Sequence, residues 1–156
     1  MKEGAIHRCS NPNCAAKLRE SLYHFVSRKA FDIAGLGPKI IEQLLNEGLI
    51  SSAADLFNLT AGDLQPLERF AEKSAAKLAE AIARAKKIPL DKFIFALGIR
   101  HVGEETAISL AETFGSLEGL KKVSLEQLLA VNDIGAVVAD SVSGYFHSQA
   151  GLKFLA

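Results

Sequence analysis

Apolar residues recur along the chain at helical spacing, in short blocks separated by glycine-bearing turns. Leu18, Leu22, Phe25 and Val26 share one stripe, as do Ile40, Ile41, Leu44 and Leu45, and then Ala75, Leu78, Ile82 and Ala85. Leu90, Phe93, Ile94 and Leu97 form another, followed by Ala107, Ile108, Leu110, Ala111 and Phe114, and by Val138, Ala139, Val142 and Phe146. Each stripe predicts an amphipathic helix with one face in a core. No window alternates polar and apolar residues long enough for a strand, so the fold class is all-α. Start and stop signals agree with this. Pro38 suits a first helical position, Gly48 and Gly115 suit C-terminal caps, and Thr60-x-x-Asp63 and Ser124-x-x-Gln127 read as capping boxes.

The helices belong to a repeat. A tight turn followed by a small-residue helix occurs four times, with turn-ending residues Gly37, Ala71, Gly103 and Gly135 at intervals of 34, 32 and 32. Alternate copies match best: Leu64, Leu67, Phe70 and Ala75 meet Leu128, Val131, Ile134 and Ala139 at an offset of 64, and Leu36, Gly37 and Leu44 meet Val102, Gly103 and Leu110 at 66. The copies therefore form two pairs, with Pro89 breaking the chain between them. The predicted organisation is a segment 1–16, a first hairpin pair 17–88, a second pair 89–147 and a tail 148–156.

Composition bounds what such a fold can do. With 49% hydrophobic and 23% charged residues, 12 glycines and 4 prolines in 156 residues, the chain is an ordered domain. Eighteen basic and eighteen acidic residues leave no net charge, so affinity for a polyanion must come from local patterning. No apolar run reaches membrane-spanning length and the N-terminus lacks a signal-peptide pattern, which predicts an intracellular protein. Both cysteines, Cys9 and Cys14, lie in the first segment. They read either as half of a four-ligand zinc site, with His7 and His24 as further nitrogen donors, or as a pair of surface thiols.

A glycine turn opening a helix turns backbone N–H groups outward and adds the positive end of the helix dipole, a combination suited to phosphate. Gly35, Gly37, Gly103 and Gly135 carry that role most directly. Lys39, Arg69, Lys73 and Arg100 flank the turns as cations, and His101, Ser74 and Thr106 are candidate donors or helix caps. Leu36, Phe70, Val102 and Ile134 anchor the turns, and at the fourth hairpin Ile134, Gly135 and Ala136 form the contact segment. The copies differ: Arg69 and Ala71 replace glycines in the second, and Asp133 in the fourth either caps the next helix or marks a purely structural copy. Backbone donors predict binding to duplex phosphates without regard to base sequence. The competing reading is a helical scaffold for protein partners.

The stretches FVSRKAFDIAGLG (25–37), LERFAEKSA (67–75) and ALGIRHVGEETA (96–107), behind HRCSNPNCAAK (7–17), resemble the C-terminal region of bacterial NAD-dependent DNA ligases. The resemblance implies four tandem helix-hairpin-helix motifs that grip the minor groove of nicked duplex DNA, behind half of a zinc finger. It implies that Cys9 and Cys14 are the third and fourth ligands of a four-cysteine Zn2+ site whose other two lie upstream. It also implies a parent enzyme, acting in replication and repair in the bacterial cytoplasm at the nucleoid. That parent binds NAD through an adenylation domain, carries an oligonucleotide-binding domain and a BRCT domain, and seals nicks that this segment alone would not seal.

Overall fold

Each repeat folds into two helices packed across a short hairpin, and the computed structural model describes residues 14–154. The first pair contains α1 (Ala15–Val26), α2 (Pro38–Asn46), a 3-10 helix (Ala54–Asn58), α3 (Ala61–Leu64) and α4 (Glu72–Ala85). The second contains α5 (Leu90–Ala96), α6 (Glu104–Phe114), α7 (Leu117–Lys121), α8 (Leu125–Leu129), α9 (Ala136–Phe146) and α10 (Gln149–Phe154). Packing follows the repeat: α1 on α2, α3 on α4, α5 on α6 and α8 on α9. There is no strand among the described residues.

The ends of the helices obey local chemistry. Pro38 is the first residue of α2, where its missing N–H costs nothing. Gly115 closes α6 in the left-handed conformation (φ 65°). Both capping boxes form. The Asp63 carboxylate accepts from the Thr60 hydroxyl (2.6 Å) and N–H (2.8 Å), contacts that hold its pKa below the ordinary value, and Gln127 accepts from the Ser124 N–H (2.9 Å).

Two clusters of buried side chains result. The first gathers Leu22, Phe25, Ile41, Leu44, Leu56, Leu64, Leu78 and Ile82; the second gathers Ile94, Leu110, Leu120, Leu128, Val142 and Phe146. Helix α5 joins them, because Ala96 belongs to the first cluster, Ile94 to the second, and Phe95 packs against both. The Phe93 ring also reaches back, 6.1 Å from Phe31, into an aromatic group where Phe31 stacks on Phe25 at 4.2 Å.

Two helices depart from the sequence reading. Part of the expected tail is α10, packed on α9. Ile108 is 38% exposed, because Ala107 and Leu110 already define the core line of α6 and Ile108 lies about 100° around the helix from Ala107.

Candidate nucleic-acid interface

The four hairpins share one backbone geometry, although their sequences differ. In each, an N–H closes a four-residue turn: Leu36 to Ile33 O (3.2 Å), Phe70 to Leu67 O (3.1 Å), Val102 to Ile99 O (3.1 Å) and Ile134 to Val131 O (3.2 Å). The third residue of each turn is left-handed: Gly35 (φ 86°), Arg69 (φ 66°), His101 (φ 66°) and Asp133 (φ 63°). Such a turn favours glycine at that position, so three of the four hairpins hold a side chain where glycine is easier. The next residue turns its side chain toward the core, with Leu36 and Ile134 buried and Phe70 and Val102 half-buried. The residue after that is the N-cap of a helix.

The N-cap amides are the chemically distinctive groups. Gly37, Gly103 and Gly135 have no side-chain cap, and their N–H groups donate to no protein acceptor among the described residues. They stand at the N-termini of helices of 9, 11 and 11 residues, where the dipole is positive. Their φ angles, −89°, −92° and −83°, suit any residue, and a Cβ at each would meet nothing within 4 Å. Neither backbone strain nor internal packing therefore requires glycine at these caps. What glycine leaves there is empty space beside an unpaired donor.

The second hairpin is built differently. Ser74 Oγ accepts from the Ala71 N–H (2.8 Å) and donates to the Ala71 carbonyl (2.9 Å), so this hydroxyl serves the helix start. Thr106, at the matching position of the third hairpin, is half-buried and makes no such bond. Asp133 does not cap α9, contrary to one expectation; it occupies the exposed left-handed position of its turn. Ile134 is a further correction to the contact set. Its side chain is 6% exposed and its N–H closes the turn, while Gly135 and Ala136 beside it are exposed.

Hairpins 1 and 2 face a common groove of about 1530 Å³. Gly35, Gly37, Lys39, Arg69 and Ser74 all line it, joined by Arg28, Lys77 and Arg84, which sequence reasoning missed, and by the carboxylates of Asp32, Glu68 and Glu80, the last paired with Arg84. The spacing of Lys73, Lys77 and Arg84 along one helix was a usable signal for the last two. Lys73, Arg100 and His101 are exposed. Charge is unequal across the hairpins. The third has Glu104 and Glu105 in the first turn of α6, with Lys29 of the first pair bound to Glu104, and the fourth has Asp133 with no Lys or Arg between Lys122 and Lys153. His24, considered above as a zinc ligand, has its Nε2 on the Phe95 carbonyl oxygen (2.7 Å). Cys14 is the N-cap of α1, while Cys9 and His7 lie outside the described residues.

Comparison with known proteins matches this architecture. Residues 27–84 fit the family described as SAM-like helix-hairpin-helix tandem, and residues 92–154 fit the helix-hairpin-helix motif family. The chain is 53% identical over 151 residues to a DNA ligase of Syntrophotalea carbinolica, covering 97% of this chain and 22% of that protein. It is 49% identical over 142 residues to a DNA ligase of Geobacter metallireducens (91% and 21%), and 48% identical over 148 residues to one of Bacillus subtilis (95% and 22%). The chain thus spans about a fifth of the length of these relatives.

Proposed function

We propose, for a chain that carries tandem helix-hairpin-helix motifs and is homologous to a segment of DNA ligases, that it is the sequence-independent DNA-binding region of such a ligase. The observation that carries this reading is the set of three uncapped N-cap amides at Gly37, Gly103 and Gly135, each in open space at a helix N-terminus. A phosphate oxygen is the acceptor such a donor suits, and phosphates recur along a duplex whatever its sequence. Lys39, Lys73, Arg69, Arg100 and His101 add side-chain donors around the first three hairpins. The fourth, with Asp133 at its tip, contributes least.

The longer protein is proposed to seal nicked duplexes using NAD, with the lysine adenylation carried by domains other than this one. Cys9 and Cys14 would supply two thiolates to its zinc site, Cys14 from the N-cap of α1. This chain's part is to hold the duplex.

Fluorescence anisotropy with nicked and intact duplexes of two unrelated sequences tests the reading. Affinity is expected to be the same for both sequences, with a salt slope shallower than the number of phosphates contacted, because backbone amides displace fewer counterions than Lys or Arg. Absence of binding at low salt would favour the protein-scaffold reading.

The left-handed side chains give a second test. Arg69→Gly and His101→Gly each remove a conformational cost of about 1–2 kcal/mol and add about 0.5–1 kcal/mol of unfolded-chain entropy. Stability in urea denaturation is expected to rise slightly, by about 0.5–1 kcal/mol, while duplex affinity falls. Opposite signs in the two measurements mark residues kept for contact rather than for folding.

A further inference from the structure

We propose that His24 is a positioning residue that holds the third hairpin in fixed register with the first, so that both hairpin pairs meet a duplex as one preformed surface. The inference rests on the reading of the hairpins as DNA contacts. His24 belongs to α1 in the first pair, yet its Nε2 lies 2.7 Å from the carbonyl oxygen of Phe95 in α5, 71 positions along the chain. A carbonyl can only accept, so Nε2 carries the proton and donates. The Phe95 carbonyl is at the C-terminal end of α5, where the helix has no partner of its own to offer, and it also accepts from the Gly98 N–H (3.1 Å). Immediately afterwards the chain turns left-handed at Gly98 (φ 63°) and enters the third hairpin turn at Ile99. The bond therefore grips the stem of that hairpin.

Packing reinforces it. The His24 and Phe95 rings lie 4.7 Å apart, tilted by 56°, and a Cβ on Gly98 would sit 3.5 Å from His24 Cδ2. From the same side, Lys29 pairs with Glu104, the first residue of α6 and next to the Gly103 cap. That pair is exposed and so a weaker brace. The residues between α4 and α5 include Pro89 and tether the two pairs, and α5 is itself lodged in both clusters through Ala96, Ile94 and Phe95. The His24 bond adds a directional contact to that packing, at the end of α5 from which the third hairpin leaves.

Fixed orientation matters because two linked contact surfaces bind as one only if their geometry allows both to engage together. A preformed arrangement has lost its orientational freedom before binding, whereas a free second pair must lose it on the DNA. The His24 ring lies against Phe95 and beside Gly98, before the turn at residues 99–102, so its influence on binding runs through geometry.

The test uses the whole chain. Residual dipolar couplings report whether residues 15–85 and 99–146 share one alignment tensor, and anisotropy reports affinity for a duplex long enough to touch both pairs. One tensor is expected for the wild type and for His24→Gln, whose amide restores a donor. Two are expected for His24→Phe, which keeps an aromatic ring without the donor, and for His24→Ala. In these two variants affinity is expected to fall about tenfold with helix content by circular dichroism unchanged. A single tensor in both, or two tensors with undiminished affinity, overturns the inference. Failure of the wild type to bind any duplex would instead overturn the DNA reading, and the tensors alone would then decide whether His24 sets the orientation.

Discussion

Valine in place of Gly37 or Gly103 is expected to weaken duplex binding about ten- to a hundredfold while leaving the helices formed. The structural cost is small, since both caps have extended backbone (φ −89°, ψ 175° and φ −92°, ψ −174°), which valine adopts readily, and a Cβ there meets no atom within 4 Å. Losing glycine at an N-cap costs the helix about 1 kcal/mol at most. The binding cost is larger. A branched side chain beside the amide keeps a phosphate oxygen from hydrogen-bond distance, and a bond to a charged acceptor contributes about 1.5–3 kcal/mol, which is the fold-change above. Anisotropy measures the loss and far-UV circular dichroism checks the helices. Alanine should fall between glycine and valine, because Ala71 already occupies the equivalent cap of the second hairpin. Affinity that survives valine at both positions would show that these turns are not the contact surface.

The repeat and the two pairs were legible because they are written in apolar spacing and small residues, signals that depend on the local chain alone. Leu22, Phe25, Ile41, Leu44, Leu78, Ile82, Leu110, Ala139, Val142 and Phe146 are all buried, as helical periodicity requires. The hairpin tips were only half legible. Gly35 announces a left-handed turn residue, but Arg69, His101 and Asp133 adopt the same conformation without any compositional sign of it. Their conformation is imposed by the closing hydrogen bond and by the anchored residue that follows, both properties of the folded repeat. Asp133 looked like a cap because aspartate often is one; here Gly135 is the cap and the carboxylate sits two residues too early. Ile134 lies in the expected contact segment, and its burial leaves the side chain to anchor the turn, a distinction that spacing alone does not make. The contacts between pairs were invisible for a different reason. His24 and Phe95 are 71 residues apart, and no spacing rule links them. The same holds for the groove that collects Arg28, Lys77 and Arg84 beside the first two hairpins.

The separation of the buried side chains into two clusters makes stability divisible, and Phe146→Ala is the substitution expected to reveal it. Phe146 is fully buried at the C-terminal end of α9, within the second cluster. Truncating such a ring costs about 3–5 kcal/mol, from lost burial and the cavity left behind. Whole domains are stable by only about 5–15 kcal/mol, so a loss of this size, borne by one of two clusters, brings the second pair close to unfolding. Native-state hydrogen exchange is expected to show α6 and α9 amides losing protection while those of α2 and α4 keep most of theirs. Helix α5 should fall between, since Phe93 and Ala96 stay lodged in the first cluster when Ile94 loses its neighbours. Leu64→Ala, deep in the first cluster, is expected to cost about 2–5 kcal/mol and to reverse the pattern. Equal loss of protection in both pairs from either substitution would mean that α5 and the His24 bond to it couple them into a single cooperative unit. Duplex binding then offers an independent check: if the first pair stays folded in Phe146→Ala, a weakened affinity should remain, carried by the groove between hairpins 1 and 2.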